Sequence, residues 1–117
     1  MGLSTHVLDT MHGTPAGGMA VALYRTGGGE PQLVKRFVLN ADGRNPDGPL
    51  YDNASLERGT YRLVFEVAAY FRLRGVQLPD PPFLDQVPLD FGVADTAAHY
   101  HVPLLCSPWS YSTYRGS

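Results

Sequence analysis

Proline and glycine interrupt this chain so often that no long helix fits between them. Thirteen Gly and ten Pro are spread over 117 residues, and both residue types favour turns over helix interiors. Between the interruptions lie short stretches in which apolar and polar residues alternate, the period of a half-buried strand. Leu3 to Leu8 places Leu3, Thr5 and Val7 on one face and Ser4, His6 and Leu8 on the other. Asp9 to Gly18 reads as turn. Met19, Val21 and Leu23 share a face in a second strand that ends before Gly27-Gly28-Gly29, and Leu33 to Val38 alternates as a third. Asn40 to Pro49 is a loop, marked by Asp-Gly, Asn-Pro and Asp-Gly pairs. Thr60 to Val67 is a clear strand with Tyr61, Leu63, Phe65 and Val67 on one face.

Ala68 to Arg74 predicts one short helix, closed by Gly75 at the usual C-terminal glycine position. Pro79, Pro81 and Pro82 then forbid a regular element, and Val87 to Val93 fits an edge strand beginning at Pro88. His99 to Leu105 and Ser110 to Arg115 form the last two strands, bent apart at Ser107-Pro108. Short strands at this spacing predict an all-β fold, a β-sandwich of seven to eight strands with one short helix. At 12.8 kDa the chain is the size of one domain, taken here as residues 1–117.

Charged residues make up 17% of the chain, against about 25% in typical domains. Either a Gly/Pro-rich surface or a surface covered by other subunits accounts for this. The net charge is −2 with Arg and Lys scattered, so no basic stripe argues for nucleic acid. No apolar run approaches the roughly 20 residues that span a bilayer, and the N-terminus lacks the basic and apolar segments of a leader. The one cysteine, Cys106, fits a reducing compartment. A soluble, cytoplasmic protein is the expectation.

Few residues could carry chemistry. His6 lies on a strand among small residues and cannot be interpreted alone. In His99-Tyr100-His101, strand alternation puts both imidazoles on one face, a spacing used by some zinc sites. Two histidines leave such a site incomplete, and His6 or His12 could complete it only through the tertiary fold. Asp9 fits a turn cap, Gly43 a turn, and Arg44 a solvated loop charge. Gly27 to Gly29 lacks the following helix that a phosphate cradle needs.

Six strings point further. His6-Val7-Leu8-Asp9 followed by Gly13-Thr14-Pro15-Ala16 resembles the N-terminal signature of the transthyretin family, and LLCSPWSYST (Leu104 to Thr113) resembles its last hairpin. ADGR at Ala41 to Arg44, AAYF at Ala68 to Phe71, HYHVPLL at His99 to Leu105 and the terminal Tyr114-Arg115-Gly116-Ser117 resemble the enzymatic branch of that family, the 5-hydroxyisourate hydrolases. The carrier branch lacks the two histidines, the loop arginine and the terminal YRGS. A small-ligand carrier is therefore the alternative reading. Departures fall at Cys106, at Trp109-Ser110 and at Leu84-Asp85-Gln86, none of them in a motif residue with chemistry.

The resemblance implies two four-stranded sheets with one short helix, assembled as a homotetramer, a dimer of dimers with sites opening on the channel between dimers. It implies ring-opening hydrolysis of 5-hydroxyisourate to 2-oxo-4-hydroxy-4-carboxy-5-ureidoimidazoline, a step of urate degradation, with no metal and no organic cofactor. Carried over residue by residue, His6 and His101 activate water and move protons, and Arg44 holds carbonyl oxygens and stabilises developing charge. Tyr114 contacts the substrate ring, Ser117 contributes its hydroxyl or carboxylate, and Arg115 either joins them or pairs structurally.

Overall fold

A computed structural model describes residues 2–116. Two four-stranded sheets face each other. The first is built from β1 (Leu3–Asp9), β2 (Thr14–Pro15), β7 (Tyr100–Cys106) and β8 (Tyr111–Thr113), in the order β2-β1-β7-β8. The second holds β3 (Ala20–Thr26), β4 (Gln32–Val38), β5 (Gly59–Glu66) and β6 (Gln86–Val93), in the order β4-β3-β5-β6. The helix α1 (Val67–Leu73) joins β5 to the proline-rich stretch before β6.

Alternation sorts the side chains as the sequence predicts. Leu3, Thr5 and Val7 of β1, Val21 and Leu23 of β3, and Tyr61, Leu63 and Phe65 of β5 are buried between the sheets. Thr5 donates its hydroxyl to the Val102 carbonyl at 2.7 Å, which offsets the cost of burying it. β6 is an edge strand, so Pro88, opposite Val64, sits where a missing N–H is tolerated. α1 ends in a Schellman motif: Gly75 at φ +81° donates to Arg72, and Val76 donates to Phe71.

Several boundaries differ from the sequence reading, three of them for a definite structural reason. The Asp9–Gly18 turn contains β2, whose two residues pair antiparallel with Leu8 and Asp9 and cover one end of the β1 edge. The helix begins at Val67, whose side chain still packs into the core. The last strand stops at Thr113, because Pro103 of β7 stands opposite Tyr114 and has no N–H to continue the ladder. The register resumes two pairs beyond, where Gly116 donates to the His101 carbonyl at 2.7 Å.

The turn cap at Asp9 is a larger structure than the sequence suggests. Its fully buried carboxylate accepts from the His12 N–H at 2.9 Å, His12 Nδ1 at 2.6 Å, the Tyr70 hydroxyl at 2.7 Å and the Arg74 guanidinium at 3.4 Å. Burial pushes its pKa up, but these donors outweigh burial and hold it below the usual value. The end of β1 is thereby fixed to α1. Removing one carboxylate orphans several donors together, so Asp9→Ala should destabilise the fold by about 3 kcal/mol. Thermal unfolding of the variant checks this; an unchanged midpoint would show that the cluster contributes no net stability.

Candidate active site

β1 and β7 run parallel at the centre of their sheet, with Ser4 opposite His101 and His6 opposite Pro103. Because Leu3, Thr5 and Val7 face the core, Ser4 and His6 must face outward, and His101 shares that outer face. The His6 and His101 rings lie 6.5 Å apart between centroids. His99, just before β7, stacks beside His101 at 6.4 Å, so the two histidines of the HYH string do share a face. His12 does not join them: it is committed to Asp9 and stacks on Phe71.

Arg44 reaches this face from the loop after β4. Asn40 closes that loop on itself: its Oδ1 accepts the N–H groups of Asp42 and Arg44 at 2.9 and 3.1 Å, and its carbonyl accepts Gly43 N–H at 2.9 Å. The closed loop docks on the free edge of β1, where Val7 N–H donates to the Gly43 carbonyl at 2.9 Å and Arg44 bridges to His6. Gly43 is required on two counts. It adopts φ +74°, and a Cβ there would stand 2.5 Å from the Val7 carbonyl oxygen.

The C-terminal tail closes the other side. Gly116, opposite His101 in the continued register of β8, lies beside that histidine, while Tyr114 lines a groove with Val102, Arg115 and Leu89 of β6. Tyr114 is 61% exposed. Arg115 stacks its guanidinium over the Tyr100 ring at 4.2 Å and donates to the His99 carbonyl at 3.3 Å, which is a structural pairing. Gly116 lies under the His101 imidazole, where a Cβ would meet Cδ2 at 2.6 Å. Ser117 lies outside the described residues.

Electrostatics push both imidazoles the same way. His6 has its pKa lowered by burial and by the Arg44 charge, against a smaller opposing effect of Asp42. His101 is lowered by burial, then by Arg44, His6 and His99. At neutral pH both rings are therefore uncharged and able to accept a proton. Cys106, by contrast, is buried with its thiol pushed up to about 12, so it is no nucleophile.

Sequence reasoning missed Ser4, Asn40 and the Asp9 cluster. Alternation already put Ser4 on the His6 face, but its partner across the parallel ladder depends on register. Asn40 acts through backbone contacts that no spacing records.

Similar proteins match nearly the whole chain. A 5-hydroxyisourate hydrolase 2 of Rhizobium meliloti is 56% identical over 115 residues, covering 98% of this chain and 95% of that one. The crystal structure of an (S)-allantoin synthase superposes with TM-score 0.93 at 45% identity over 99% of this chain; this chain spans 43% of that protein's length. Sea bream transthyretin in complex with thyroxine superposes with TM-score 0.85 at 29% identity, covering 99% of this chain and 95% of that one.

Two outcomes test the geometry. Gly116→Ala should lower turnover while the fold holds, since the added methyl displaces the His101 ring; circular dichroism and kinetics on one preparation check this. With both imidazole pKa values lowered, the base form persists below the ordinary 6.5, so the acid limb of kcat/KM should fall below pH 6.5. The sign for stability follows: the unfolded histidines bind more protons there, so stability declines as pH drops below about 6.5. A midpoint above 6.5 in the rate profile would contradict the assigned electrostatics. The description of the HIUase/Transthyretin family matches residues 3–116, and this chain belongs to that family.

Proposed function

We propose that this chain opens the ring of 5-hydroxyisourate by hydrolysis, at the face formed by His6, Arg44, His101 and the terminal tail. The observation that carries this reading is the convergence of two uncharged imidazoles, 6.5 Å apart, with Arg44 bridged to one of them. Relatives across nearly the whole chain are named 5-hydroxyisourate hydrolases, at 56% and 53% identity in the first two. The enzymatic reading is favoured over the carrier reading on these residues, because the sandwich itself superposes on both kinds of protein.

In the proposed reaction a neutral imidazole takes a proton from water as the water oxygen attacks the ring amide carbonyl. The carbonyl oxygen gains negative charge in the tetrahedral intermediate, and Arg44 can give it two parallel hydrogen bonds. Collapse breaks the C–N bond, and the proton held on imidazole passes to the leaving nitrogen, giving 2-oxo-4-hydroxy-4-carboxy-5-ureidoimidazoline. Tyr114 walls the substrate ring, and Ser117 closes the network. The reading needs no metal or organic cofactor.

The half-buried imidazoles lie on an open face of one chain. A homotetramer in which two dimers meet over this face would turn it into a channel and exclude bulk water. The low charge content of the surface fits such coverage. The working unit is then a cytoplasmic assembly of single domains spanning residues 1–117.

The decisive measurement follows 5-hydroxyisourate, made in situ by urate oxidase, by ultraviolet absorbance against its uncatalysed decay. The protein should accelerate that decay; a carrier would leave it unchanged. His6→Ala and His101→Ala should each lower the rate by roughly 10²–10⁴-fold, the usual cost of a missing general base. Extensive chelation should leave the rate unaltered, and loss restored by Zn²⁺ would instead assign the HYH string to a metal. Deleting Tyr114 to Ser117 should remove most hydrolysis while size-exclusion chromatography shows the assembly retained.

A further inference from the structure

Ser4 occupies a position the proposed reaction does not yet use. Its hydroxyl oxygen lies 2.8 Å from His101 Nδ1 and 3.4 Å from His99 Nε2, bridging two imidazoles that stack against each other. The bridge follows from the parallel register, which sets Ser4 directly across from His101 on the outer face. His99 Nδ1 is buried with no partner among the described residues, so Nε2, toward Ser4, is the atom through which that ring is held.

We infer that Ser4 is a positioning residue for His101: its hydroxyl fixes the ring with the proton on Nδ1, leaving the Nε2 lone pair for the reaction, and His99 in turn anchors the hydroxyl. The inference rests on the hydrolase reading for its consequence in rate, though not for its consequence in the ring itself. A neutral imidazole has one N–H and one lone pair, and the hydrogen bond at one nitrogen decides which nitrogen has which. For His101 Nε2 to accept a proton, Nδ1 must hold the hydrogen, and an acceptor must stand beside it. Ser4 is that acceptor. Having accepted, the hydroxyl still has its own hydrogen to donate, and His99 Nε2 lies in reach to receive it.

The other groups facing His101 cannot do the same. Arg44 and His6 lower its pKa by charge, as does His99. Gly116 contacts Cδ2 and the adjoining carbons, and donates its N–H to the main-chain carbonyl. The Arg115 guanidinium is turned to Tyr100. The bridge also matters after proton transfer: with both ring nitrogens protonated, the Nδ1–H···Oγ bond stabilises the imidazolium that forms.

The test uses the full chain, uniformly labelled with ¹⁵N, and reads the His101 ring nitrogens at a pH where the imidazole is neutral. The parental protein should show Nδ1–H, and Ser4→Ala should shift the ring toward the Nε2–H form that free histidine prefers. Kinetically, Ser4→Ala should lower kcat by about ten- to a hundredfold, as losing an orienting partner commonly does, with KM little changed. Its acid limb should move to lower pH, because an acceptor that favoured the imidazolium is gone. Ser4→Thr, which keeps the hydroxyl, should restore most of the rate and the parental pH profile; a merely structural role would give no such split. An Nε2–H ring in the parental protein would overturn the inference, as would a Ser4→Ala enzyme with parental rate and pH profile. If the parental protein failed to accelerate 5-hydroxyisourate decay, the hydrolase reading would fall, and the ring spectrum alone would decide the role of Ser4.

Discussion

The parallel ladder between β1 and β7 is the constraint on which both fold and chemistry depend. Its partners are distant in the chain, Ser4 and His101 being 97 residues apart, so closing that loop costs about 4 kcal/mol in chain entropy before any contact returns it. What holds the register is burial. Leu3, Val7 and Leu104 are fully enclosed, and Thr5 pairs with the Val102 carbonyl. A slip of one residue would turn these outward and drive His6 into the core. The same register that fills the sandwich therefore presents Ser4, His6 and His101 together.

That coupling explains which parts were legible in the sequence. Alternation is a local property, so the inward set of β1 and β5, the edge position of β6 and the glycine stop of α1 could be read from neighbouring residues. The outward placement of His6 came with them. Register, by contrast, is a property of two strands, and nothing in Leu3 to Leu8 names its partner in His99 to Leu105. Ser4 therefore has no signal in the sequence beyond its place on the His6 face. Local pattern also overran at Ser110 to Arg115, which alternates well enough for a longer strand; the ladder breaks because Pro103, in another strand, cannot donate. The two-residue β2 was hidden for the opposite reason, since Gly13, Pro15 and Gly17 mark turns, while Thr14 and Pro15 are held by the edge of β1 rather than by their own propensity.

The free edge of β1 shows how loops become parts of a site. Three unrelated segments cover it in turn: Tyr51 beside Leu3, Gly43 and Arg44 beside Val7 and His6, and β2 beside Leu8 and Asp9. Each satisfies backbone groups that an exposed edge would leave open to another chain. The middle segment does more, because the docking that satisfies Val7 N–H also sets Arg44 against His6. Gly43 makes the approach possible and Asn40 keeps the loop closed, so the main chain that carries Arg44 is fixed to the strand.

Charge at the site then follows from geometry. Three imidazoles and one guanidinium crowd a single face, and each proton added there raises the cost of the next. Arg44 cannot lose its charge at any ordinary pH, so His6 and His101 yield: burial and the guanidinium together favour their neutral forms. A face with all four groups charged would attract anions more strongly but would hold no base. With His6 and His101 neutral it keeps one fixed cation to meet developing negative charge and imidazoles with lone pairs to take the proton. The crowding that would be a liability in a structural cluster is what separates the anion-stabilising role of Arg44 from the proton-accepting role of its neighbours. A proton taken up in turnover is consequently held against repulsion, which favours its prompt return to the leaving nitrogen.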